Sequence, residues 1–218
     1  MDKKEFFLAD LLSDNEIIAR VIHGDKELYA LLIRRHNQRL YRIGLSIIND
    51  ENEVEDVMQS AYIKAYENLG KFAFKANFST WLIKILINES LLRLKQRGRS
   101  INMNDDVMDM EIYQQRTAKV VTPLARTMNE ELKTILEECI HKLPEKYKVV
   151  FIMREIEGMN VADTQECLDI SEANVKVRLN RAKSLLKESL SGFYQKEDIL
   201  HFHLSKCERL VQQVMSVI

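Results

Sequence analysis

The chain has 218 residues, 46% of them apolar and 30% charged, with six glycines, two prolines and a net charge of −1. That length holds one large or two small domains with real cores, and few turn formers beside abundant Leu, Ile, Glu and Lys predict an all-α fold. Near-neutrality excludes a uniformly basic, DNA-coating protein, so any nucleic-acid site must arise from local separation of charge.

In chain order, Asp14 to His23 reads as a short helix capped by Asp14 and stopped at Gly24. Asp25 then caps a long helix through Leu28, Leu31, Leu32, Leu40, Ile43 and Ile47, interrupted at Asn49-Asp50. The next helix has an acidic start (Asp50, Glu51, Glu53, Glu55, Asp56). Its apolar residues Val54, Val57, Met58, Ala61, Tyr62 and Ala65 recur at three and four, which makes one buried stripe. Glu55, Asp56, Gln59, Lys64 and Glu67 then fall on the other faces, and Gly70 is placed to end the helix. A loop from Lys71 to Asn77 carries Phe72 and Phe74 between Lys71 and Lys75. The following helix, capped by Asn77 or Ser79, runs from Trp81 to Arg97 and ends in a basic tail of Arg93, Lys95, Arg97 and Arg99. Phe78 and Trp81 read as core.

An acidic helix, an aromatic loop and a basic helix in that order suit a protein that grips two things. One face docks on a basic protein surface. The other holds a nucleic-acid strand, with cations on phosphates and rings available to unstacked bases.

Residues 100–126 hold no sustained helical stripe and contain Thr122-Pro123, which disfavours helix at Thr122. A stretch that long is expected between domains rather than within one. Its acids Asp105, Asp106, Asp109 and Glu111 suit either a basic channel on a partner or plain solvation. Order returns at Asn129, with a stripe of Leu132, Ile135, Leu136, Cys139, Ile140 and Leu143. Pro144 opens another helix, continued by Val149, Val150, Met153 and Ile156 up to Gly158.

Asn160 caps a short helix ending near Leu168, Asp169-Ile170 makes a tight turn, and Ser171 caps a longer helix from Glu172. Two helices joined by so short a turn describe a helix-turn-helix, whose second helix enters the major groove by its N-terminal residues. Glu172, Ala173, Asn174, Lys176 and Val177 hold those positions. Asn pairs well with adenine, and a carboxylate accepts from cytosine. Arg178, Arg181 and Lys183 lie further along, where cations hold phosphates and set register.

The string Glu55-Asp56-Val57, Gln59, Ala61-Tyr62, Phe78-Ser79-Thr80-Trp81-Leu82, Ile85, Asn88 and the basic tail resembles region 2 of bacterial sigma factors, most of all the short extracytoplasmic-function class. The segment LPEKYKVVFIMREIEGMNVADTQECLDISEANVKVRLNRAKSLL is similar to region 4 of the same family. Leu92 stands where Asp is common and Asp169 where Gly is usual; Asp tolerates the left-handed conformation better than most residues.

The resemblance implies two helical domains joined by a flexible linker: region 2 over 14–99, linker 100–126, region 4 over 127–190, and a C-terminal helical extension over 191–218. It implies that Glu55, Asp56 and Gln59 bind core RNA polymerase at the clamp of its largest subunit, with region 4 at the flap of the second. Lys71, Phe72, Phe74, Lys75, Asn77, Lys84, Arg93 and Arg97 would then meet the promoter −10 element. Ser171, Glu172, Asn174, Lys176, Val177, Arg178, Arg181 and Lys183 would meet the −35 element. An anti-sigma partner is a further family expectation.

Cys139, Cys167 and Cys207 are far apart and odd in number, which fits a reducing cytoplasm rather than a disulfide framework. WLIKILI is short and broken by Lys84, so no membrane insertion is expected. The start, MDKKEFFLADLL, lacks a small-residue cleavage site and does not read as a signal peptide. In the tail, His203 and Cys207 share a helix face and His201 lies near, an incomplete ligand set, so neither a metal nor a cofactor is expected. No phosphate loop or nucleophile motif supports an enzyme. A polymerase-independent helix-turn-helix regulator would explain 143–190 and leave the Glu53–Arg99 pattern without a purpose.

Overall fold

A computed structural model describes residues 12–74, 77–98 and 128–191, with Gln213 and Met215; side chains 128–132 are outside that description. Among the described residues the fold is all-α, as the periodicity predicts. The helices are α1 (Asp14–Ile22), α2 (Tyr29–Ile48), α3 (Glu51–Glu67), α4 (Phe78–Gln96), α5 (Met128–Lys142), α6 (Glu145–Phe151), α7 (Val161–Leu168) and α8 (Glu172–Ser191). The linker expected at 100–126, Lys75, and the tail residues His201, His203 and Cys207 lie outside the described residues.

Local chemistry sets most boundaries. Ser13, not Asp14, caps α1, in a reciprocal box with Glu16. Asp14 is drawn away by Arg35 at 3.0 Å and His36 at 2.8 Å. The His36 bond holds the Asp14 carboxyl below its ordinary range. Asp25 makes no side-chain cap; a single 3₁₀ turn, Lys26–Leu28, leads into α2 instead. Asn49 ends α2 in the left-handed conformation, and Asp50 caps α3 by accepting from the Glu53 backbone N–H at 3.2 Å. The helix α3 stops at Asn68, before Gly70, because the Asn68 side-chain amide donates to the Lys64 carbonyl at 2.8 Å and a 3₁₀ turn, Leu69–Lys71, follows.

In the first unit α2, α3 and α4 pack on one another, with α1 against α2. Gly44 permits the close approach of α2 to α3: a Cβ there would meet Val54 Cγ1 at 3.1 Å. In the second unit α8 is the central strut, packed on α5, α6 and α7. After Phe151 the backbone widens into a π turn over Ile152–Ile156, and Gly158 (φ 64°) reverses the chain toward α7.

The two units are not independent in this arrangement. One apolar core runs from Ile17, Leu32, Leu40, Ile43, Leu82 and Leu86 into Val149, Val150, Met153 and Leu168. Each such Leu or Ile withdrawn from water contributes about 1.5–3 kcal/mol before entropy is counted. Helix α4 packs on α7, and α2 on α6. A second, smaller cluster of Cys139, Leu143, Ala182, Leu185 and Leu186 holds α5 to α8.

Polar contacts fasten the same boundary. Glu157, its side chain 6% exposed, accepts from Arg39 Nε at 3.1 Å and Arg42 Nη1 at 2.9 Å. Arg39 also donates to the Glu157 carbonyl at 3.2 Å and to Ser79 Oγ at 3.0 Å. The Cys167 Sγ–H donates to the Thr80 carbonyl at 3.4 Å, and burial pushes that thiol up to about 12. Cys139 and Cys167 are both free and buried.

Candidate functional site

The loop between α3 and α4 separates its aromatic residues by burial. Phe72 is buried at 6% exposure, its ring 5.2 Å from Trp81 and 5.9 Å from Phe78. Phe78 in turn meets the His36 ring at 5.5 Å. The expectation that Phe72 meets a base is therefore corrected: an apolar ring buried against two others forms the floor of the loop. Phe74 is 49% exposed and lies 4.9 Å from Phe72. Its backbone is left-handed, φ 56°. That conformation costs a non-glycine residue roughly 1–2 kcal/mol, and such outliers gather at functional sites.

Asn77 sits at the N-cap of α4 yet makes no capping hydrogen bond, so its exposed amide stands beside the loop. Lys71 is exposed and donates to Asn68 Oδ1 at 3.0 Å. Lys84 is half-buried on the helix face toward Cys167. Arg93 and Arg97, near the end of α4, are not free cations: Arg93 pairs with Asp56 at 3.1 Å, and Arg97 with Glu53. Leu92 is 47% exposed beside them.

The acidic helix borders an open groove of about 970 Å³ between α2 and α3. Glu55 and Gln59 line it with Tyr29, Ile33, Asn37, Tyr41, Met58, Tyr62, Ile63 and Tyr66. Tyr29 and Tyr62 are pinned from beneath: Tyr29 Oη donates to the Tyr62 carbonyl at 2.7 Å, Tyr62 Oη to the Ile33 carbonyl at 3.1 Å. Burial raises both phenols well above their ordinary range. Ile63 (52% exposed) and Tyr66 (36%) leave apolar surface at the rim. Sequence reasoning took Glu55 and Gln59 and missed the tyrosines. Ile63 was the available signal, an apolar residue off the α3 stripe. Asp56, 65% exposed, lies outside this lining and faces α4.

The helix-turn-helix is α7 and α8. Asn160 caps α7 by accepting from the Asp163 N–H at 2.7 Å; Asp169 takes the left-handed turn, φ 53°. Ser171 Oγ accepts from the Asn174 N–H at 3.2 Å and starts α8. Glu172, Lys176, Val177, Arg181 and Lys183 are exposed and Asn174 is half-exposed. Val177, at 63%, presents an apolar surface of the kind that meets a thymine methyl. Lys176 pairs with Glu172 at 2.6 Å and holds its carboxyl below the usual range. Lys183 pairs with Glu155 at 2.9 Å. Arg178 does not belong to the exposed set. It is 3% exposed, on the same face of α8 as Val175, Ala182 and Leu185, so the phosphate contact expected of it has no open path in this arrangement.

Among the described residues no group of three or more His, Cys, Asp and Glu side chains is arranged to hold a metal ion. None of the described helices is long and apolar enough to cross a membrane.

Comparison with known proteins bears on both surfaces. Residues 32–100 match the family described as sigma-70 region 2, and residues 133–186 match sigma-70 region 4. The chain is 32% identical over 187 residues to the ECF RNA polymerase sigma-E factor of Haemophilus influenzae, covering 84% of this chain and 98% of that one. In three dimensions it is similar to CnrH solved with the cytosolic domain of CnrY (TM-score 0.57, 23% identity, 82% of this chain and 97% of that one). It is also similar to the sigma factor RpoE solved with the anti-sigma factor NepR from Bartonella quintana (TM-score 0.56, 19% identity, 75% and 96%). The aromatic loop before α4 lies within the first matched region and the helix-turn-helix, up to residue 186 of α8, within the second, and the chain belongs to the extracytoplasmic-function sigma factors of RNA polymerase.

Proposed function

We propose that the chain joins core RNA polymerase through the α2–α3 groove and the exposed Asp56 on the α4 side of α3, captures an unstacked base of the −10 element at the Phe74 loop, and reads the −35 element with α8. In this reading residues 14–99 dock on the clamp of the largest subunit and 127–190 sit at the flap of the second. Residues 100–126 link them, and 191–218 extend the second unit. The part played is that of an initiation factor, not an enzyme, acting in the cytoplasm.

The observation that carries the reading is Phe74: an exposed ring on a left-handed backbone, above a buried aromatic floor and next to an exposed Asn77 amide that makes no capping hydrogen bond. Extruding a base costs a few kcal/mol, and stacking on one ring returns about 1–3 kcal/mol. Amide hydrogen bonds to the base edge make up the rest. The groove supports docking through buried Tyr29 and Tyr62 and the exposed apolar surface of Ile63 and Tyr66, with Glu55 and Glu67 in the same lining for a cationic partner surface. An anti-sigma protein is a natural competitor for such a groove, and RpoE, a neighbour of similar fold, was solved with one.

The test is in vitro transcription with bacterial core polymerase and genomic DNA fragments. Initiation should depend on the added chain. Phe74→Ala with Asn77→Ala should keep polymerase binding and lose promoter opening, read by permanganate reactivity of unpaired thymines. Unchanged opening in that double variant would remove the base-capture role.

A further inference from the structure

The acidic edge of α3 and the basic end of α4, assigned above to different partners, meet in one cluster of four charges. Arg93 Nη2 donates to Asp56 Oδ2 at 3.1 Å, and Arg97 donates to Glu53 Oε1. The Glu53 side chain is 7% exposed and that of Asp56 65%. Two atoms of the cluster are buried without a hydrogen-bond partner among the described residues, Glu53 Oε2 and Arg93 Nε. They belong to adjacent groups: Arg93 Nε lies 3.9 Å from Glu53 Oε1, outside hydrogen-bond distance.

An open buried acceptor on Glu53 and an open buried donor on Arg93, in groups already within ion-pair distance, put a second acceptor within reach of Arg93. A small swing of the guanidinium toward α3 sets its Nε edge against the Glu53 carboxylate in the two-pronged pairing this group favours, at the expense of the Asp56 bond. We infer that Arg93 is a shared, two-position guanidinium: Asp56 holds it in the free chain, and Glu53 takes it when a cation of a docked partner occupies Asp56. In the second position the Nη group of Arg93 not held by Glu53 is free of Asp56 and faces a DNA phosphate. Glu53 acts as the positioning residue, and docking and phosphate contact strengthen each other by the same factor in either order. This rests on the reading of Asp56 as a docking residue and of α4 as a DNA helix.

The test uses the full chain without polymerase. Binding to a fluorescent single-stranded oligodeoxynucleotide is measured by anisotropy at low ionic strength, where phosphate contacts dominate. Asp56→Asn mimics an Asp56 whose charge is already taken. It should tighten binding about two- to fivefold, the scale of one freed exposed ion-pair partner. Glu51→Gln removes the same charge from the same helix, but beside Tyr41 and His141 rather than Arg93, and should change binding less than about 1.5-fold. Adding Arg93→Ala to Asp56→Asn should erase the gain. An equal gain from Glu51→Gln, a gain that survives Arg93→Ala, or no measurable binding by Asp56→Asn would overturn the inference. Failure of the wild-type chain to bind core polymerase would instead remove the functional reading and leave the oligonucleotide result intact.

Discussion

The loop before α4 and the helix-turn-helix, both proposed to meet DNA, are built in opposite ways. The loop stores strain, with Phe74 held left-handed and half in water above a buried Phe72. The helix α8 stores none at the residues proposed to read bases: Glu172, Lys176 and Val177 are exposed on a regular, capped helix, and the left-handed residue, Asp169, sits outside it in the turn. The difference follows from the tasks proposed for them. Reading base edges in an intact duplex needs rigid placement. Holding an extruded base needs an apolar platform kept open in water, which hydrophobic collapse opposes unless the backbone forbids it. The energetic burden accordingly falls on the floor of the loop and on the turn of the helix pair.

The largest effect expected from this contrast is at Phe72. Phe72→Ala should cost about 3–5 kcal/mol in urea unfolding, the price of a cavity beneath Phe74 and against Phe78 and Trp81. Phe74→Ala should cost less than about 1.5 kcal/mol, since it forfeits only the ring contact with Phe72. If the two variants lose equal stability, the division into floor and platform is wrong.

Next in size is the contact that joins the two regions. Glu157→Ala removes a nearly buried carboxylate from Arg39 and Arg42, whose side chains are 36% and 45% exposed. Water reaches both arginines and screens the loss, so about 1–2 kcal/mol is expected rather than the larger figure for a fully buried pair. Urea unfolding read separately at Trp81, in the first unit, and by overall helicity should show the two probes drawing apart in this variant. Coincident transitions with unchanged midpoint would mean the shared apolar core alone joins the units.

Within α8, Lys176→Ala should change which −35 sequences are preferred. Arg181→Ala should weaken all of them by about 1 kcal/mol and lower the salt slope by about one. Binding of a promoter library by each variant separates these outcomes. Equal losses across the library from both would take base reading away from Lys176.

Much of this was legible in the sequence, because it rests on periodicity and caps. The α3 stripe, the Asn160 and Ser171 caps, and the turn at Asp169 are decided within a few residues of chain. Arg178 was legible too, and misassigned: Val175, Arg178, Ala182 and Leu185 follow the spacing of a buried stripe, and charge was weighed above position. Phe72 and Phe74 differ by nothing local; only the packing of Phe78 and Trp81 decides which ring faces water. The pairs Arg39–Glu157 and Arg93–Asp56 span 118 and 37 residues, and no spacing rule reaches that far. Asp14 shows the same limit at short range, since a good cap residue was taken by Arg35 and His36 and left its role to Ser13.

The smallest effect is the sharpest test of the opening contrast, because both regions hold a residue in the left-handed conformation. Glycine adopts it without steric cost, so Phe74→Gly should be more stable than Phe74→Ala, and Asp169→Gly more stable than wild type, each by about 0.5–1 kcal/mol. Function should separate them. Asp169 ends α7 with its backbone N–H on the Gln165 carbonyl, a bond glycine also makes. Asp169→Gly should therefore leave −35 binding unchanged while raising the unfolding midpoint. Phe74→Gly relieves the same kind of strain but deletes the platform, so promoter opening should fall as far as in Phe74→Ala. If Asp169→Gly alters −35 binding as much as Phe74→Gly alters opening, strain serves the same purpose in both regions and the division between rigid reader and strained platform fails.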